Sequence, residues 1–218
     1  MSTTREPSFL DPASMRQPAA ALGPRAQRTI TRIIEATREV FLTHGYSGTT
    51  IDEIARVASV SRASFYTYFP SKREVLLAVG AHTASESLAV IQRLADLGGG
   101  RAELTRWTAE YFDFLDVHGS FSFAWTQAAH EDEEIRRAGM RGHLRICREL
   151  GTRLAATAGR IPADPTLAGL VAASVLERAW NYGGLYADTI DRTAVIAQTA
   201  QALWAMARQG PPNGRPAG

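Results

Sequence analysis

The stretch Thr49–Lys72, TTIDEIARVASVSRASFYTYFPSK, decides how the rest of the chain is read. Thr50 followed three residues later by Glu53 fits a capping box, in which each side chain satisfies an orphan amide of a helix's first turn. Ile51, Ile54 and Ala55 supply the inward face of a helix over 51–58 that has barely two turns. Ala58-Ser59-Val60 reads as a tight turn, with Val60 as its apolar plug. Ser61 caps a second short helix over 61–69, which Pro70 ends. Ser71 with Glu74 makes a second capping box that opens the next helix at Lys72.

Upstream, Ile30, Ile33, Ile34, Thr37, Val40 and Phe41 repeat at the spacing of one buried helical stripe, and Gly45 follows as its stop. A long amphipathic helix and two short ones joined by a three-residue turn form a helix-turn-helix unit. On the last of these, Phe65 and Phe69 lie four apart and face the core. Arg62, Ser64, Tyr66, Thr67 and Tyr68 are left pointing outward or sideways. That surface suits a DNA major groove: a guanidinium pairs bidentately with guanine, and hydroxyls meet phosphates or base edges. Lys72 brings an ammonium to the first turn of the following helix, where a phosphate is favoured. The plainer reading, packing for Tyr66 and Tyr68 and solvation for Arg62 and Lys72, stays open on these residues alone.

Composition agrees with an all-α chain. Of ten prolines, seven fall before residue 25 or after residue 210, so the interior is nearly free of helix breakers. Further helices are expected over 72–97, 101–117, 121–138, 140–159, 166–186 and 191–209, with breaks at Gly98-Gly99-Gly100 and near Ile161–Pro165. The ends, 1–24 and 210–218, read as flexible arms. No apolar run is long enough to span a bilayer, so no membrane partner is expected. The single cysteine, Cys147, cannot form an internal disulfide and fits a cytoplasmic setting. The five histidines show no ligand spacing, and His130-Glu131-Asp132-Glu133-Glu134 fans its carboxylates around a helix, so neither metal nor cofactor is expected. No nucleophile elbow or phosphate loop supports catalysis, and the chain is not expected to be an enzyme. The formal net charge of +2 hides a gradient: residues 1–73 carry ten basic and six acidic groups, the remainder 14 and 16. Of 24 basic residues only Lys72 is a lysine.

The string Phe41-x3-Gly45-Tyr46-x2-Thr49-Thr50-Ile51-x2-Ile54-Ala55, continuing through Val60-Ser61 to Phe65-Tyr66-x-Tyr68-Phe69-Pro70-Ser71-Lys72, closely resembles the tetracycline-repressor-like (TetR) family over about residues 28–77. The resemblance implies a DNA-binding domain over 25–72 and a helical ligand-binding and dimerisation domain over 73–209. It maps DNA contacts onto Thr50, Arg62, Ser64, Tyr66, Thr67, Tyr68 and Lys72. It also implies a homodimer on a near-palindromic operator of double-stranded DNA, released by a small-molecule effector. Two positions depart from the family pattern: Ser59 stands where the turn usually carries glycine, and Tyr68 where histidine is common.

In the second domain Trp107, Tyr111, Phe112, Phe114, Phe121, Phe123 and Trp125 crowd into 19 residues. Trp107, Tyr111 and Phe114 have helical spacing, which fits ordinary core. With the family resemblance, the same region together with Trp180 becomes a candidate apolar pocket: Trp107, Tyr111, Phe114, Phe121, Trp125 and Trp180. The last two helices resemble the family's four-helix dimer interface, through Leu170, Val175, Val195, Leu203 and Trp204. Gly183-Gly184 is expected to weaken or bend the first of them. The rival reading is a helical small-molecule carrier or enzyme that keeps the helix-turn-helix as a structural module. The arginines at 5, 16 and 25 offer sequence-independent DNA contacts.

Overall fold

The computed structural model describes residues 23–97 and 100–208. The arm up to residue 22, with Arg5 and Arg16, the Gly98-Gly99 step and the tail at 210–218 lie outside the described residues. Every regular element among the described residues is helical: α1 (Pro24–Gly48), α2 (Ile51–Val57), α3 (Arg62–Tyr68), α4 (Lys72–Gln92), a 3-10 turn (Arg93–Asp96), α5 (Arg101–Glu131), α6 (Glu133–Ala156), α7 (Pro165–Leu185) and α8 (Arg192–Ala207).

The chain divides into two compact units, one from residues up to 85 with 120–142, the other from 86–119 with 143 onward. Helices α4, α5 and α6 each contribute to both, so the division does not follow the 72/73 boundary drawn from sequence.

In the first unit Ile30, Ile33, Val40, Ile54, Phe65, Phe69 and Val75 form one buried cluster. Burying each such side chain contributes roughly 1.5–3 kcal/mol, which outweighs the weak propensity of two seven-residue helices. A second cluster joins Phe41, Leu76 and Val79 to Phe121, Ala128 and Ile135, with Trp125 partly buried against it. Trp125 lies flat on the Cα positions of Gly80 and Gly139, where any β-carbon would meet its ring.

In the second unit Leu94, Leu104, Trp107, Tyr111, Phe112, Leu150, Leu176 and Leu203 form the core. Helices α6 and α7 cross with their backbones in contact. A β-carbon on Gly169 would overlap the Cys147 carbonyl, and one on Gly151 would overlap that of Pro165.

Two sequence expectations change. The segments 101–117, 121–138 and 140–159 are two helices, not three. The chain stays helical through Gly119, where an added β-carbon would collide with the Trp180 ring. The real break is Asp132, whose carboxylate accepts from the amides of Glu134 (3.0 Å) and Ile135 (3.2 Å) and so starts α6. Both capping boxes are half-made. Thr50 and Ser71 accept from the amides of Glu53 and Glu74, but the Glu53 carboxylate turns to Arg56 at 2.6 Å. Helix α7 runs through Gly183 and Gly184 to Leu185, close to the expected 166–186, and a β-carbon on Gly183 would stand in ordinary contact with Val195 of α8.

Residues Lys72–Ala95 are long and apolar enough to cross a membrane, yet half of that window is buried inside the protein, as in a core helix.

Candidate nucleic-acid interface

Backbone geometry sets the reading head. Gly45 adopts φ +68°, which breaks α1 and turns the chain toward α2. Ser59 sits in the turn between α2 and α3 at φ +52°, a left-handed conformation that a non-glycine residue rarely adopts. The sequence departure at this position is therefore a real backbone cost, of order 1–2 kcal/mol. The Ser61 hydroxyl then accepts from the Ser64 amide at 3.0 Å and starts α3.

Helix α3 buries Phe65 and Phe69 completely, their rings 5.9 Å apart, and this fixes what its other faces present. Arg62 and Thr67 are exposed; Ser64, Tyr66 and Tyr68 are half-buried. Arg62 donates through one nitrogen to both oxygens of Asp52, at 2.5 and 2.7 Å, and lies over the Tyr66 ring with its carbon 5.7 Å from the centroid. Hydrogen bonding to Asp52, then to Tyr66, raises its already high pKa. With both partners mostly in water, this ion pair is weak beside the roughly 1–3 kcal/mol of a bidentate arginine–guanine contact. Asp52 therefore orients Arg62 at little cost to its availability. Thr67 donates to the Ala63 carbonyl at 3.1 Å, and Thr50 is exposed beside the same face.

Lys72 is committed differently. Its ammonium donates to the Tyr46 carbonyl at 2.7 Å and sits 4.4 Å from the centroid of that ring, so the start of α4 is tied to the end of α1. The same corner holds Asp132, which accepts from Tyr46 (3.2 Å) and from Arg73 Nε (2.8 Å), while Arg73 also pairs with Glu134 at 3.2 Å and Ser47 donates to Glu131. Burial opposes ionisation of Asp132, but the Arg73, Ile135, Glu134 and Tyr46 hydrogen bonds prevail and hold its carboxyl below the usual range. The acidic run at 131–134 is thus spent on structure, with Glu133 paired to Arg136 and Arg137. Sequence reasoning missed this corner. Its signal was an aspartate able to cap a helix inside the acidic run.

The six aromatics of the candidate pocket are divided between the two units. Phe121 and Trp125 belong to the first unit, where Phe121 packs on Phe41 at 5.4 Å. Trp107, Tyr111, Phe114 and Trp180 belong to the second. Trp107 is 1% exposed with its indole donating to the Val90 carbonyl at 2.9 Å, so it is satisfied core. Tyr111 is buried beside it, 5.2 Å between rings, and desolvation drives its pKa far up. Phe114 lies 5.6 Å from Tyr111 and stacks on His118 at 4.7 Å. Trp180 donates to Asp116 at 2.7 Å, and Asp116 also accepts from Arg192 at 2.7 Å. Glu177, on α7, is raised by burial against the opposing pull of His143 and Arg178.

Of the residues assigned to a dimer interface, Leu203 is wholly buried in its own chain's core, and Val195 and Trp204 are packed partly against it. Val175 is half-buried, and Leu170 is 36% exposed. Helix α7 instead shows exposed apolar side chains at its two ends, Leu167, Leu170 and Val171 at one and Tyr182 and Leu185 at the other.

A buried three-helix core, bearing the exposed Arg62 and Thr67 and the half-buried Ser64, Tyr66 and Tyr68 on one short helix, defines a helix-turn-helix protein. Residues 33–79 match the sequence model of bacterial regulatory proteins of the tetR family. Over 54 residues, 25% of this chain and 25% of the relative, it is 50% identical to the HTH-type transcriptional regulator SrpR of Pseudomonas putida. Over 171 residues, 76% of this chain and 86% of the relative, it is 28% identical to the HTH-type transcriptional regulator BetI of Paraburkholderia phymatum. The matched part spans from a quarter to about two fifths of the length of the first curated relatives. The transcriptional regulator FadR of Bacillus subtilis, solved in complex with stearoyl-CoA, shares the fold with TM-score 0.63 at 17% identity, covering 81% of this chain and 98% of that one.

Proposed function

We propose that this protein is a ligand-responsive, sequence-specific DNA-binding transcriptional regulator, acting as a homodimeric repressor that a small, largely apolar or aromatic effector releases from its operator. The observation that carries the reading is α3. This seven-residue helix is anchored by the buried Phe65 within it and by Phe69 just beyond it, leaving Arg62, Ser64, Tyr66, Thr67 and Tyr68 to face a major groove. Thr50 and Lys72 flank that face at the starts of α2 and α4. Two copies give two reading heads and hence a near-palindromic site.

The exposed apolar side chains at the two ends of α7, Leu167, Leu170 and Val171 at one and Tyr182 and Leu185 at the other, support pairing with a second copy. Leu170 keeps its assigned place in that interface, whereas Leu203 serves its own core. The Tyr111–Phe114–His118 ladder with Trp180 supplies aromatic walls and polar tips for an effector. That a regulator of the same fold holds stearoyl-CoA supports an apolar effector. Helix α4 starts in one unit and ends in the other, and an effector that favours one position of α4 shifts the reading heads by its differential affinity for the two states.

The test is selection of bound duplexes from random DNA, then comparison of wild type with Arg62→Ala and Tyr66→Ala. Each variant is expected to stay folded and lose about 10–100-fold in affinity for the selected site. Unchanged affinity in both would remove α3 from the interface.

A further inference from the structure

Beside the base-reading face, the described residues of the first unit form a shallow, open polar cleft of about 670 Å³. One wall is the first two turns of α1, where Arg25, Thr29 and Arg32 recur at the spacing of a single helical stripe. The other wall is the start of α3, where Ser61, Ser64 and Tyr68 recur in the same way. No carboxylate lines the cleft.

The pairing of the nearby cations distinguishes the two arginines of the cleft from those of the helix-turn-helix and the start of α4. Arg56, Arg62 and Arg73 are held by carboxylates, and Lys72 by a carbonyl. Arg25 and Arg32 are exposed, and neither has a carboxylate partner among the described residues. Two uncommitted guanidiniums facing three hydroxyls across an acid-free concavity fit an anion with several acceptor oxygens. Because Ser64 and Tyr68 belong both to this cleft and to α3, the anion in question is one whose other parts reach the α3 face.

We infer that the cleft seats the sugar-phosphate backbone of the DNA strand next to the groove that α3 enters, with Arg25 and Arg32 as phosphate contacts and Ser61, Ser64 and Tyr68 as hydroxyl donors. This rests on the proposed DNA-binding function and extends the interface from α3 onto α1. Arg25 and Arg32 are seven residues apart, about 10 Å along a helix, against roughly 3.4 Å of axis per phosphate on one strand. They therefore address different phosphates, and each contributes its own counterion release.

The experiment uses the full chain and the Arg25→Gln/Arg32→Gln variant, titrated with the selected duplex and with a random duplex from 50 to 200 mM salt. Circular dichroism confirms that both proteins are folded. The expected result is weaker binding to both duplexes, a salt slope shallower by about two, and an unchanged ratio of selected to random affinity. An unchanged slope overturns the inference. A fall in the selected-to-random ratio also overturns it, because the arginines would then read bases. Equal protection of the wild-type cleft by inorganic phosphate, with no change in duplex affinity for the variant, would assign the site to a free anion instead. Failure of the wild type to bind any duplex defeats the proposed function itself, an outcome distinct from an unaltered variant.

Discussion

The two compact units solve the same problem, packing helices against one another, by opposite means. The first joins short helices through side-chain ties: Arg62 to Asp52, Lys72 to the Tyr46 carbonyl, and Tyr46 and Arg73 to Asp132. The second brings long helices together at their backbones, with Gly151 against Pro165 and Gly169 against Cys147. Polar ties on a surface are cheap to exchange, because water and a ligand offer equivalent partners. Backbone contact has no such substitute. The difference teaches where each unit tolerates change: the first can trade partners on binding, whereas the α6–α7 crossing behaves as a fixed point.

The strongest way to break this comparison is Gly169→Ala. Its β-carbon overlaps the Cys147 carbonyl, so the two helices must separate, and a loss of about 3 kcal/mol is expected in denaturant unfolding. A change below about 0.5 kcal/mol would show that the crossing is soft. By contrast, Asp132→Asn removes a single hub from the first unit, and about 1–2 kcal/mol should be lost at neutral pH. Its pH dependence is specific. The folded-state pKa of Asp132 lies below its ordinary value of 3.8, so its contribution is complete above that value and disappears as pH falls through the folded pKa. The wild type should therefore lose its advantage over Asp132→Asn below about pH 4, as stability curves at several pH values would reveal. A constant difference down to pH 2 would exclude the carboxylate as the source.

Ser59→Gly sharpens the comparison in the favourable direction. Relieving the left-handed strain at φ +52° exceeds the extra chain entropy of glycine, for a net gain of about 0.5–1 kcal/mol in thermal unfolding. DNA affinity should be unchanged if the turn only links α2 to α3. The smallest effect concerns Cys147, which lies in the tight crossing of the second unit. Desolvation raises its thiol to about 11, so alkylation of the folded protein at pH 8 should be far slower than that of the denatured chain. Rapid native labelling would mean that the crossing opens readily.

Much of the first unit was legible in the chain. Periodicity located the α1 stripe, and Ser61, Pro70 and Gly45 marked ends that the structure keeps, because caps and breakers act within a few residues of themselves. The paired aromatics Phe65 and Phe69 fixed the buried side of α3 and so the exposed face. What the chain did not reveal was partnership at a distance. Nothing local distinguishes an Arg62 that is held by Asp52 from an Arg32 that has no carboxylate partner, or marks Asp132 as the hub for Tyr46 and Arg73.

The second unit was legible as helix and not as site. Of the six aromatics of the candidate pocket, Phe121 and Trp125 belong to one unit and Trp107, Tyr111, Phe114 and Trp180 to the other, a division that spacing along the chain does not mark. Gly119 looked like a break, and the Trp180 ring made it a contact. Sequence by itself determined the helices, their caps and the chemistry of the reading face, since these follow from spacing along one element. Only the tertiary structure decided which cations remain uncommitted, which aromatics share a core and where backbones touch, since those depend on residues that the chain brings together from tens of positions away.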